Sequence, residues 1–259
     1  MIEVDTDGVL FVPPEDVRGE QAEIDFTRAL TEAMPEGIRV GFDGRFKQML
    51  SYKKKNYALL TYDDTLKFKG SSLISRSNEA FGRAFVRKAI RRLLNRDVQG
   101  LHDLYIRYRD AIVAHDWQGV ERFSRVETLK NTIADYEADV ESGKRPQAAA
   151  YELAKQRAEA TGQPVRTGDR VRYYITGEKA TVTAFQHCKW ADEWDPENPD
   201  ENTAYYLKRL DEFATKFEPF FTEEDFRLVF SPEDMFGFSA DGIEIQTREH
   251  EADHPTGQN

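Results

Sequence analysis

A chain of 259 residues, 39% hydrophobic and 32% charged, suffices for one large domain or two small ones with a real core. No apolar run approaches the roughly 18 residues of a membrane span, and no basic-then-apolar leader follows Met1. The single cysteine, Cys188, excludes an internal disulfide and fits a reducing cytoplasm, while the net charge of −11 speaks at first against a polyanionic partner.

In chain order, residues 1–12 read as strand, tight turn, strand. Val4, Val9, Phe11 and Val12 are β formers, and Asp5-Thr6-Asp7-Gly8 is the turn. Residues 16–33 read as an amphipathic helix carrying Ile24 and Leu30, with Met34 at its end and Pro35-Glu36-Gly37 as its stop. Strand-like runs follow at 38–42, 46–52, 57–62 and 66–68. After Gly70 the texture turns helical. Ser77-Asn78 can cap a helix running to about 96, with Phe81, Phe85, Ala89 and Leu93 on one face. Arg83, Arg87 and Arg91 recur at the same spacing on the far side. A second helix spans about 98–115. Its Tyr105 and Tyr108 read as core residues before a base-stacking platform. Another helix, 148–161, ends at Gly162-Gln163-Pro164. Residues 169–176 and 180–187 read as a strand pair around Gly177, and helices return at 202–216 and 223–229. Ser231-Pro232-Glu233-Asp234 opens one more helix. The tail from about 246 is polar and expected to be disordered. No internal repeat is visible. The pattern predicts an α+β fold: an antiparallel part first, then a mainly helical part with a small β element.

The charge is segregated. Residues 45–96 hold fourteen Lys/Arg against three Asp/Glu, a local +11 that leaves −22 on the rest. Local potential, not the total, decides whether a polyanion can bind. Within this segment, Lys53-Lys54-Lys55 by itself reads first as a solvated charge run and then as a source of phosphate contacts. The Arg83, Arg87, Arg91 stripe is an exposed helix face or a phosphate-tracking one.

Two aspartates one residue apart in a tight turn put two carboxylates near one point. Hard oxygen ligands of this kind suit Mg²⁺, which is often held by only one or two carboxylates plus substrate phosphates. Read alone, an Asp-x-Asp-Gly turn is also an ordinary turn. A calcium loop fails on spacing, because Gly8 is the fourth residue and not the sixth. His250-Glu251-Ala252-Asp253-His254 satisfies a zinc-protease pattern, but Pro255 follows at once and a buried helix with a third ligand is lacking. Its two histidines allow no more than incidental metal affinity. His187-Cys188 have no ligand partners at useful spacing and read as structural.

Five motifs in order resemble family B DNA polymerases. Glu3-Val4-Asp5-Thr6-Asp7-Gly8 is similar to the family's Tyr-x-Asp-Thr-Asp-Ser turn in the palm, with Glu3 for the tyrosine and Gly8 for the serine. Lys53-Lys54-Lys55-Asn56-Tyr57 resembles its lysine-rich segment ending in Lys-x-Tyr. Lys69-Gly70 stands where a Lys-Gly pair leads into the thumb. Gly168-Asp169-Arg170-Val171-Arg172-Tyr173 resembles a late thumb motif. Tyr205-Tyr206 with Glu218-Pro219-Phe220 resembles the closing helix.

The resemblance implies the end of a palm over 1–75, with a catalytic β-hairpin, a thumb over 76–240 and a polar tail over 241–259. It implies template-directed nucleotidyl transfer to a primer 3′-hydroxyl by two Mg²⁺ ions. Asp5 would be a direct metal ligand and Asp7 would sit beside the metals. Lys53, Lys54, Lys55, Tyr57 and Lys69 would contact primer–template DNA, joined by the Arg83, Arg87, Arg91 stripe. Lys55 and Tyr57 would point to one side of a strand.

The family's other metal-binding aspartate, its nucleotide-binding lysine helix and its exonuclease belong before the aspartate turn. The chain alone is therefore expected to be inactive and to work with DNA, dNTP and a chain carrying exonuclease, fingers and remaining palm. It would be a split-polymerase subunit or a fragment. The competing readings are a non-catalytic DNA-binding module derived from a thumb, and a partner-binding protein with a coincidental turn.

Overall fold

The computed structural model describes residues 3–4, 8–75, 77–182, 185–232 and 237–246. Among them are seven α-helices and three small antiparallel sheets, an α+β content as the sequence predicts. The chain divides into two compact units, Met1–Ile74 and Ser75–Asn259.

The first unit opens on a two-stranded pair, β1 (Glu3–Val4) and β2 (Val9–Leu10), with Glu3 opposite Leu10 and Val4 opposite Val9. Helix α1 (Glu20–Glu32) starts four residues later than the apolar pattern suggests, behind Gly19 at φ 90°. Residues 38–42 form no strand. Val40 instead exchanges both backbone bonds with the Thr31 hydroxyl of α1, at 2.9 and 3.0 Å. Its polar groups are satisfied by a helix side chain, so they have no need of a ladder. A three-stranded sheet follows in the order β3 (Gln48–Lys53), β4 (Asn56–Leu60), β5 (Leu66–Lys69). The central β4 is almost wholly buried, from Tyr57 to Leu60, and forms the unit's core with Leu50.

The second unit is built on α2 (Ala80–Leu94), α3 (Val98–Val113) and α6 (Thr203–Ala214). Phe81, Phe85, Ala89 and Leu93 of α2 are buried, as the four-residue spacing requires. Phe81 stands edge-on to Trp117, Tyr206 and Phe213, and Phe123 extends the aromatic cluster. Tyr105 is a core residue whose hydroxyl donates to Asp211 at 2.7 Å. Helix α2 begins at Ala80 behind Glu79 and not behind Ser77-Asn78; the Glu79 carboxylate makes no capping bond and is paired with Arg125 and Arg209 instead.

Three departures concern the small sheet. Its first strand, β6 (Arg125–Thr128), and helix α4 (Ile133–Glu141) were not expected. The signal for α4 was Thr132, whose side chain accepts from the Asp135 amide at 3.1 Å. After α5 (Ala149–Thr161), closed by Gly162 in the left-handed region, β7 (Arg170–Ile175) pairs with β6 and with β8 (Cys188–Trp190). Residues 180–182 are irregular and 185–187 form a 3₁₀ turn, so the expected strand at 180–187 begins only at Cys188. The loop after β7 is held by Asn202, whose amide donates to the carbonyls of Thr176 and Lys179 at 3.2 and 3.0 Å. Cys188 is buried and burial pushes its thiol up to about 11, which agrees with a structural role. Helix α6 gives way at Thr215 to a 3₁₀ stretch containing Pro219, and α7 (Glu223–Val229) follows behind a Thr222 cap.

Helices α2 and α6 meet at Gly82. A Cβ there would lie 1.9 Å from the Phe213 ring, which is itself buried. Gly82→Ala is expected to cost about 1–3 kcal/mol through overpacking, despite the helix-propensity gain of up to about 1 kcal/mol. Urea melts measure it; a variant as stable as wild type would show that the two helices can separate freely.

Candidate nucleic-acid interface

The lysine segment is the tip of the β3–β4 hairpin. Lys53 ends β3, Lys54 and Lys55 form the turn, and Lys55 adopts φ 62°. Lys55 is therefore not on a strand beside Tyr57 as the motif suggested. A left-handed turn residue aims its side chain away from the sheet's alternation. All three lysines are exposed, whereas Tyr57 is 5% exposed and belongs to the core under the turn. The ladder register shifts between Ser51 and Lys53, a bulge that adds twist just before the tip.

Two other segments converge on this turn. The Lys55 amide donates to Glu3 Oε1 at 3.1 Å, which ties the lysine turn to the first strand of the aspartate hairpin. On the opposite flank, Lys69 faces Tyr57 in register, and Gly70 follows at φ 78°. A Cβ on Gly70 would lie 2.2 Å from Asn56 Oδ1 and 2.5 Å from the Lys55 carbonyl oxygen. The Lys69-Gly70 motif is thus glycine for two reasons: a left-handed backbone and a neighbour that leaves no room. The structure brings Lys53, Lys54, Lys55 and Lys69 to one end of one sheet and links that end to β1.

Asp5 and Asp7 lie outside the described residues. The register of β1 and β2 leaves residues 5–8 as their connection. Among the described residues there is no group of three or more His, Cys, Asp or Glu that could hold a metal ion. His250 and His254, and most of the helix expected from Ser231, also lie outside the described residues.

In the second unit, Arg87 and Arg91 are exposed along α2, while Arg83 is half-buried and donates to the Asn78 carbonyl. The helix that carries them is anchored at its start by Glu79, 0% exposed, which accepts from Arg125 Nε at 2.7 Å and from Arg209 at 3.0 Å. Burial pushes the Glu79 carboxyl up, but Arg125 and Arg209 outweigh it and hold it below the ordinary glutamate value. Glu201 is a second buried carboxylate, accepting from the Trp117 and Trp194 indoles at 2.7 Å each. Sequence reasoning missed Glu3, Asn56, Glu79 and Glu201. Their partners are mostly tens of residues away, and no local pattern announces them.

The lysine turn, the Lys69-Gly70 pair and the helical unit that follows are joined by a family comparison that spans most of the chain. The family model for DNA polymerase family B matches residues 5–217. The chain belongs to family B of the DNA polymerases. No curated protein matches it. Among solved structures, it is similar to the family B DNA polymerase from the hyperthermophilic archaeon Pyrobaculum calidifontis, with a TM-score of 0.55 and 16% identity. That likeness concerns the fold and covers 78% of this chain but only 25% of the archaeal polymerase. Among the described residues no helix is long and apolar enough to cross a membrane.

Proposed function

We propose that this chain supplies the end of a family B palm and the thumb that grips primer–template DNA. In this reading the first unit is the palm part and the second the thumb. The observation that carries it is the family match over 5–217, which begins at Asp5 and runs through both units. The clustering of four lysines at the sheet end tied to the aspartate hairpin supports it. Lys53, Lys54, Lys55 and Lys69 would meet backbone phosphates, as would Arg83, Arg87 and Arg91. Tyr57, being buried, would brace the turn from below.

Asp5 is the residue that would hold Mg²⁺ directly, with Asp7 beside the ion as a second carboxylate in the same short segment. When bound, such ions lower the pKa of a primer hydroxyl and offset charge on phosphoryl oxygens. The protein's share is then positioning: the hairpin presents the carboxylates and the lysine turn holds the duplex beside them. Primer–template DNA and dNTP are the substrates this reading requires. The exonuclease, the fingers and the rest of the palm would come from another polypeptide or another segment.

The binding half of this reading is tested by fluorescence anisotropy with a labelled primer–template duplex over a salt series. The chain is expected to bind with log K falling steeply against log salt. Replacing Lys53, Lys54 and Lys55 by alanine should weaken binding and flatten the slope by about 0.9 for each phosphate no longer neutralised. An unchanged slope would remove the lysine turn from the interface.

A further inference from the structure

The lysine turn is clamped from two sides by side chains that carry no positive charge. From one side, Glu3 Oε1 accepts the Lys55 amide at 3.1 Å, across 52 residues of sequence. From the other, Asn56 uses both ends of its amide. Its Nδ2 donates to the Lys54 carbonyl at 3.0 Å, and its Oδ1 accepts from the Ser72 amide at 2.9 Å. Lys55 needs such support. A non-glycine residue at φ 62° sits in a sparsely populated region, and the surroundings must hold it there. Gly70, packed against Asn56 and the Lys55 carbonyl, closes the third side.

Glu3 is otherwise an odd neighbour for a DNA-binding turn. A carboxylate beside three lysines lowers the local positive potential and by charge alone would weaken the hold on a polyanion. Its bond to a backbone amide, and not to a lysine ammonium, offers the reason for its presence: it orders the turn. An ordered turn binds more tightly than a floppy one, because the cost of immobilising its side chains has already been met.

We propose that Glu3 and Asn56 are positioning residues for DNA binding, which together fix the 54–55 turn, with its Lys54 and Lys55, against the hairpin bearing Asp5 and Asp7. The assignment rests on the reading of the lysine turn as a DNA contact. It predicts a sign that electrostatics does not. If Glu3 acted only through its charge, both Glu3→Ala and Glu3→Gln would tighten binding. If Glu3 positions the turn through its acceptor oxygen, Glu3→Ala weakens binding and Glu3→Gln, whose amide oxygen accepts the same bond, does not.

The experiment uses the full chain and a fluorescein-labelled primer–template duplex at fixed salt. Hydrogen exchange at the Lys55 and Ser72 amides is followed in parallel. Glu3→Ala is expected to raise Kd about three- to tenfold and to speed Lys55 exchange. Glu3→Gln should match wild type or bind slightly tighter, with Lys55 still protected. Asn56→Ala should raise Kd similarly and expose the Ser72 amide. Wild-type or tighter binding by Glu3→Ala, or equal damage from Glu3→Gln, overturns the assignment while leaving the DNA reading intact. Failure of the wild-type chain to bind the duplex overturns the DNA reading and this assignment with it.

Discussion

Asp5→Ala is expected to lower primer extension at least about a hundredfold, once the chain is combined with a polypeptide carrying the exonuclease, fingers and remaining palm. The 259 residues alone are expected to extend no primer. A hundredfold loss corresponds to roughly 2.7 kcal/mol of transition-state stabilisation, about what removal of a single preorganised electrostatic group costs in other enzymes. A metal-ligand carboxylate should cost no less. Asp7→Ala should also slow extension, by a smaller factor, since the family resemblance places it beside the metals. Duplex affinity should change little in either variant, because the lysine turn and the α2 arginines remain. The measurement is single-turnover extension of a labelled primer with saturating Mg²⁺ and dNTP. Extension by the purified 259-residue chain would refute the need for a complement. A reconstituted complex that extends equally well with Asp5→Ala would leave the thumb-derived, non-catalytic binding module as the better description.

The second large effect concerns stability. Glu79→Ala should cost about 3 kcal/mol or more, because it leaves Arg125 without its carboxylate and Arg209 with Glu212 alone, their side chains 30% and 17% exposed, around a carboxylate site that was fully buried. Their partial access to water places the cost toward the lower end of the roughly 3–5 kcal/mol seen on breaking buried pairs. The contrast is Arg227 with Glu223, both about three-quarters exposed, where Glu223→Ala should cost no more than about 0.5 kcal/mol.

The pH dependence of the Glu79 site has a fixed sign. Its folded carboxyl titrates below its unfolded value, so the native state favours the charged form. The stabilisation is complete above the ordinary glutamate range, near pH 4.5, and is lost as pH falls through the lowered folded value. Urea melts at pH 7 and pH 4 should therefore show wild type losing part of its advantage over Glu79→Gln on acidification. A Glu79→Ala variant within about 1 kcal/mol of wild type at pH 7 would show that the arginines find other partners at no cost.

Periodic burial was legible from the residues themselves. Phe81, Phe85, Ala89 and Leu93 recur every four positions, and only one helix face can place them all inside. The strands at 46–52, 57–62 and 66–68 were readable to within a few residues, because β formers alternate with turn formers there. Gly162 after α5 likewise announced its helix end, since it supplies the left-handed cap at no steric cost. The charge segregation and the ordered polymerase motifs also lay in the linear chain, because both depend on residue identity and order alone.

Other features depended on groups distant in sequence. Whether 38–42 would pair as a strand turned on one Thr31 hydroxyl, and the loop after β7 is held by the distant Asn202 amide. Both cases obey the rule that buried backbone groups need partners, but the rule does not say which partner wins. Glu79 resembled an ordinary acidic residue near a helix start until Arg125 and Arg209, 46 and 130 positions away, were seen to enclose it. Lys55 belonged to a strand by motif and to a left-handed turn by geometry, with Glu3 and Asn56 holding it there. Local composition thus settled the buried face of α2, the strands between 46 and 69, the end of α5 and which segment is basic. Long-range hydrogen bonds and ion pairs decided which side chains are held, and where, because their energies depend on the meeting of groups that only the folded chain brings within reach.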